Sequence, residues 1–185
     1  DPKTYQSGLL IMYFSAFPII QYDSVGNENY KGVTDLLKRV AVRAKVKANT
    51  LIYNSYDIKE GETPETLAHK FYGDSGLHWV ILLVNNITDR YHQWPMNYIQ
   101  FLTYLNDKYT NVNTTHHYYI EQTSGNTDIR INIGSDNTGH AGATAVTNYE
   151  YEEDRQDQLR QIRIMHPAYV PGFVAEFKKL IREEN

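Results

Sequence analysis

The chain has 185 residues, room for one compact domain or two small ones at about 150 residues per domain. Lys and Arg number 18 against 22 Asp and Glu, a net charge of -4 that argues against a nucleic-acid binder built on a basic field. Cys is absent, which removes disulfide scaffolds, thiolate metal sites and thiol nucleophiles together and fits folding in a reducing cytosol. Tyr is abundant, 16 against 6 Phe and 2 Trp, and its amphipathic ring suits surfaces that are half wet and half apolar, so the composition points to association.

In chain order, the apolar run Gly8 to Ile20 is too short to span a bilayer as a helix and lacks an upstream basic cluster. Pro18 breaks a helix there, so the run reads as an extended, buried or partner-covered arm. Thr34 or Asp35 can cap a short helix over Leu36 to Val40, after which Val40 to Ala48 alternates as a strand with one solvated face. Leu51 to Ile58 reads as a second strand. Thr63 as N-cap, Pro64 at the first helical position and Gly73 as a stop then frame a helix. Ser75 can cap the next one, Gly76 to Val84, which is apolar on all sides and ends at Asn85-Asn86. Asn97 to Tyr109 is a third helix, with Ile99, Leu102 and Leu105 at helical spacing. Tyr118 to Glu121 and Ile129 to Ile133 bracket Ser124-Gly125-Asn126 as a hairpin, and Gly134 to Asn148 reads as a long loop. The charge-dense stretch Tyr149 to Gln158 precedes a strand, Leu159 to Met165, and a final helix from Pro171 to Ile181 with Phe173, Val174, Phe177, Leu180 and Ile181 on one face.

Tests for chemistry return structural answers. Gly73-Asp74-Ser75-Gly76 reproduces the tetrapeptide around a serine-protease nucleophile, but here a helix stop and a cap account for it, and two β-barrels with a His and an Asp upstream would be needed. The 7 His include no His-Glu-x-x-His, and adjacent His116-His117 would point to opposite faces of a strand. No glycine-rich phosphate loop occurs. Glu150, Glu152, Glu153 and Asp154 read as a solvated charged face rather than as paired catalytic carboxylates. The chain is expected to be no enzyme and to use no metal or cofactor.

The segment Tyr56 to Gly73 resembles the opening of a LysM domain: a strand, a tight turn at Gly61-Glu62-Thr63, then a helix, with Asn85-Asn86 where such modules place an Asn after the second helix. That resemblance implies a βααβ unit of roughly 45 residues. Pro64 replaces the usual apolar residue, and the usual Gly before the final strand is missing. More of the chain is similar to the small LysM-containing baseplate wedge protein family of T-even-type contractile-tailed phages. The similarity is carried by Phe17-Pro18-Ile19, Val33 to Arg39, the LysM-like block with Tyr72-Gly73 and Leu77 to Leu82, and the tail Leu159 to Ile164 with Phe173 and Phe177.

The resemblance implies an α+β protein: an N-terminal arm, short helix and strand (1–50), a LysM-like βααβ module (51–96), and a C-terminal helix, hairpin, loop and strand-helix tail (97–185). It implies a structural clamp in the virion tail baseplate, assembled in the host cytoplasm. The clamp would join wedge subunits, six wedges to a baseplate, to one another and to central hub and tail proteins, with no nucleic acid, membrane or small-molecule substrate. The expected protein interface is Phe17, Ile19, Ile20, Tyr22, Tyr72, Trp94, Ile162, Ile164, Tyr169, Phe173 and Phe177. An alternative function, binding peptidoglycan or chitin, would use a groove at Gly61, Glu62, Thr63, Asn85 and Asn86. The two ends of the chain, Leu9 to Tyr22 and Leu159 to Ile181, are expected to be ordered mainly by neighbouring subunits, since the arm has no complementary strand adjacent in sequence.

Overall fold

The computed structural model describes residues 13–42, 51–122 and 129–182. The protein is α+β, with small antiparallel sheets and two compact units: Asp1–Asp57, Glu62–Tyr91 and Ile162–Asn185 form the first, Ile58–Gly61 and His92–Gln161 the second.

In the first unit a 3₁₀ turn, Tyr13–Ala16, leads into β1 (Ile19–Tyr22), which pairs antiparallel with β2 (Lys31–Thr34) in the register Ile19 to Thr34 and Tyr22 to Lys31. The arm therefore does have a nearby complementary strand. The β-branched pairs Ile19-Ile20 and Val33-Thr34 favour the pleated ribbon over the helix expected after Thr34, and Leu36-Leu37 form only a turn. Of the strand expected over Val40 to Ala48, residues 40–42 carry no regular structure and the remainder lies outside the described residues.

β3 (Tyr53–Asp57) is followed by α1 (Pro64–Tyr72), a 3₁₀ turn Ser75–Leu77 and α2 (His78–Val84). The expected caps form at α1. Thr63 and Thr66 exchange a reciprocal capping box, Pro64 occupies the first turn, and Gly73 closes the helix at φ 74°, a left-handed position that glycine enters without steric cost. Asp74, rather than Ser75, caps the following turn, accepting the Gly76 N–H at 2.8 Å. Residues Arg90–Gln93 form a helical turn, α3, where the last strand of a contiguous βααβ run was expected. The strand that pairs with β3 is instead β7 (Gln161–Met165). Backbone bonds from Ile58 N–H to the Arg160 carbonyl and from His166 N–H to the Ile52 carbonyl frame an antiparallel pair. On β7 the alternation expected from the sequence holds, with Ile162 and Ile164 buried and Gln161 and Arg163 exposed.

The chain ends in α6 (Val170–Arg182), whose Val170, Val174, Phe177 and Ile181 recur at helical spacing and are all buried. They join Phe17, Trp79, Val80, Val84 and Met165 in one core. Its centre is aromatic: Trp79 lies 4.6 Å from Phe177 and 5.5 Å from Tyr13, and Tyr13 lies 5.0 Å from Phe17. Each such pair adds about 0.5–1.5 kcal/mol beyond the area it buries.

In the second unit α4 (Tyr98–Lys108) starts from an Asn97/Gln100 capping box. Its buried stripe is Phe101 and Leu105; Ile99, expected on that stripe, is 76% exposed. β4 (Thr115–Gln122) is the centre of a sheet ordered β5-β4-β6, flanked by β5 (Ile129–Gly134) and β6 (Thr144–Thr147). The expected hairpin is therefore present, its turn lying outside the described residues, while part of the expected long loop supplies a third strand. α5 (Asn148–Arg160) follows, capped by Thr147 with Glu150.

That helix corrects the reading of its charge run as a solvated face. Its buried residues are Asn148, Glu152 and Gln156, a polar stripe at four-residue spacing. Each is satisfied: Asn148 donates to the Asn111 carbonyl at 3.1 Å and Gln156 accepts the Met96 N–H at 2.9 Å. Glu152, 1% exposed, accepts from Lys108 at 2.6 Å and from the Tyr109 hydroxyl at 2.8 Å. Burial alone would raise its carboxyl pKa, but the bonds from Lys108 and Tyr109 win and hold it below the usual range.

Candidate protein-docking surface

The β1–β2 ribbon grows from a firm base. Tyr13 and Phe17 are held in the aromatic core, Arg182 Nε donates to the Ala16 carbonyl at 3.2 Å, and Asp35 N–H closes onto the Pro18 carbonyl at 2.9 Å. Beyond Pro18 the character inverts: every residue of both strands is exposed. At the tip, the Asp23 carboxylate accepts backbone N–H bonds from Val25, Gly26 and Glu28 at 3.1, 2.8 and 2.7 Å. Desolvation opposes these bonds, yet together they keep its pKa below the usual carboxylate range. They also hold Glu28 at φ 63°, a conformation non-glycine residues seldom adopt.

Behind this polar tip the ribbon leaves apolar side chains open to water. Ile19 is 74% exposed and Val25 77%, with Tyr22, Tyr30, Val33 and Leu37 exposed beside them. A two-stranded ribbon is marginal by itself in water, and exposed apolar side chains on it, with Ile20, Tyr22 and Val33 on one face and Ile19 on the other, mark an interaction surface. The ribbon offers side chains on two faces and, among the described residues, no further strand pairs with its outer edges.

The expected interface residues fall into two groups. Ile19, Ile20, Tyr22 and Tyr169 are exposed, and Phe173 and Tyr72 half-buried. Phe17, Trp94, Ile162, Ile164 and Phe177 are at most 8% exposed and pack within the chain, so both ends are anchored by its own core rather than by neighbours alone. Burial pushes the Tyr72 hydroxyl up to about 12. Val25, Tyr30, Val33 and Leu37 escaped the sequence reading, although the β-branched pairs on either side of the Asp23-Ser24-Val25-Gly26 turn signal carried the information.

The residues of the expected glycan groove have internal work. Glu62 accepts from the Tyr56 hydroxyl at 2.8 Å and from Lys70 at 2.8 Å, Thr63 is the cap of α1, and the Asn85 amide is bonded to the backbone of Arg163. Gly61 and Asn86 occupy left-handed turn positions at φ 76° and 58°. Ser75 opens a 3₁₀ turn, its carbonyl bonded to His78 Nδ1 at 3.0 Å.

A family model described as Base plate wedge protein 53 matches residues 12–128. Over 190 aligned residues the chain is 25% identical to the Baseplate wedge protein gp53 of Enterobacteria phage T4, covering 93% of this chain and 97% of that protein. The matched span includes the whole β1–β2 ribbon and the α1–α2 block.

Proposed function

The chain belongs to the base plate wedge protein 53 family, and from that premise we propose that it is a structural subunit of a contractile phage tail baseplate whose β1–β2 ribbon docks onto neighbouring baseplate chains. The observation that carries this reading is the ribbon itself, rooted in the core at Tyr13 and Phe17 yet exposed on both strands, with Ile19, Ile20, Tyr22 and Val33 open to water. In the finer form of the proposal the subunit clamps wedge proteins to each other and to the central hub, resides in the virion tail, and is assembled in the host cytoplasm. The β3-α1-α2 block with β7 as its closing strand is read as a LysM-like unit interrupted by the second unit, used here as a rigid support.

A glycan-binding function is the weaker reading, because Glu62, Thr63 and Asn85 are engaged inside the fold. The deciding experiment is assembly of baseplates with Ile19→Asp and Val33→Asp variants. Incorporation should drop about tenfold or more, the cost of burying one unpaired charge in an interface, while the melting temperature is unchanged. Normal incorporation of both variants, or retention of the wild-type chain on purified peptidoglycan, would reverse the ranking.

A further inference from the structure

Within the second unit, one face of the three-stranded sheet and one face of α5 enclose a cleft of ≈ 240 Å³. Contacts between a sheet and a helix are ordinarily apolar, and this one also carries the charged side chains of Arg130, Asp154 and Arg155. Two periodicities build it. His117 and Tyr119 lie two apart on β4 with Arg130 on the neighbouring β5, while Tyr151, Asp154 and Arg155 recur at helical spacing on α5.

The two guanidiniums are poorly used inside the protein. The Arg130 guanidinium lies 4.7 Å from the centre of the Tyr119 ring and makes no hydrogen bond or ion pair to another described residue. Arg155 reaches Glu152 only at 3.4 Å, and that carboxylate is already bonded to Lys108 at 2.6 Å and Tyr109 at 2.8 Å. Each guanidinium carries five donors in a planar fork matched to a carboxylate, and the Tyr119 face holds the Arg130 plane ready for it. The lining of the cleft sets these two charges against Asp154, and Glu121 stands opposite Arg130 in the β4–β5 register.

We propose that this cleft binds the carboxylate of a Glu or Asp side chain in an acidic segment of a partner protein, with Arg130 as the bidentate receptor and Arg155 as the second cation. A net charge of -4 on the whole chain repels anions at a distance, so only a short segment that places one carboxylate between the two guanidiniums gains from the cleft. The inference rests on the baseplate-subunit reading only for the source of the carboxylate. The ribbon, in the other unit, is tested separately by assembly.

The experiment is fluorescence polarisation of a labelled oligoglutamate peptide titrated with the full chain at low ionic strength. Saturable binding that weakens with added salt is expected. Arg130→Gln should weaken it about tenfold or more without lowering the melting temperature, and Asp154→Asn should strengthen it several-fold. No saturable binding, binding indifferent to Arg130→Gln, or displacement by inorganic phosphate or a short single-stranded oligonucleotide as effective as unlabelled peptide would overturn the proposal.

Discussion

The side-chain amide of Asn85 pairs with both backbone groups of Arg163, 78 positions away: Nδ2 donates to the Arg163 carbonyl at 2.8 Å and Oδ1 accepts its N–H at 2.8 Å. Asn85 follows the last turn of α2, and the same Nδ2 donates to the Ile81 carbonyl at 2.8 Å. One amide thus ends the helix and imitates a neighbouring strand for β7, binding the two sides of a sequence interrupted by the second unit.

Replacing Asn85 by Ala leaves the Arg163 N–H and carbonyl without this partner. The loss should cost about 1–3 kcal/mol in urea unfolding. Amide exchange at Arg163 should accelerate by more than at Gln161, which makes no bond to Asn85. Equal exchange at both positions, with unchanged stability, would show that the pairing contributes nothing.

Trp79→Ala should destabilise by about 3–5 kcal/mol, since the ring is 5% exposed and packs against Phe177 and Tyr13. Because Tyr13 and Phe17 root the ribbon in the same cluster, the substitution should also loosen the ribbon's base. Calorimetric melting and amide exchange in Tyr13–Ala16 measure the two effects, and an unchanged melting temperature would count against a buried aromatic hub.

Glu152 makes stability depend on acid. Its folded-state pKa is depressed, so its contribution is complete above the unfolded value of about 4.3 and is lost as pH falls through the lower folded value. Lys108→Ala leaves the buried carboxylate with only the weaker Arg155 contact at 3.4 Å for charge, at a cost of up to about 3–5 kcal/mol near neutral pH. Stability curves of Lys108→Ala and wild type against pH should converge on acidification. Parallel curves would mean that the pair is not the source of the dependence.

Much of this fold was legible locally. The Thr63-Pro64 start and Gly73 stop of α1, the Asn97 cap of α4 and the two-residue alternation of Ile162 and Ile164 are written in adjacent residues, where capping and pleating act. What escaped was long-range. Nothing near Thr88 announces that β3 will take its partner from β7, and the buried stripe Asn148, Glu152, Gln156 looks like a wet surface until Lys108 and Tyr109 are brought against it. At the docking surface, Ile19 and Tyr22 were legible as apolar residues of an arm, but their exposure depends on pairing with β2, and the burial of Phe17 on a core assembled from both ends of the chain.

The proposed docking of the β1–β2 ribbon onto another baseplate chain can be read in the assembled particle. A photo-crosslinking amino acid placed at Tyr22, 56% exposed in the isolated chain, reads this directly in assembled baseplates. A crosslink to a different baseplate protein is expected in the assembly and not in the free chain. A Tyr22 position that stays uncrosslinked and as accessible to water in the baseplate as in solution would contradict it.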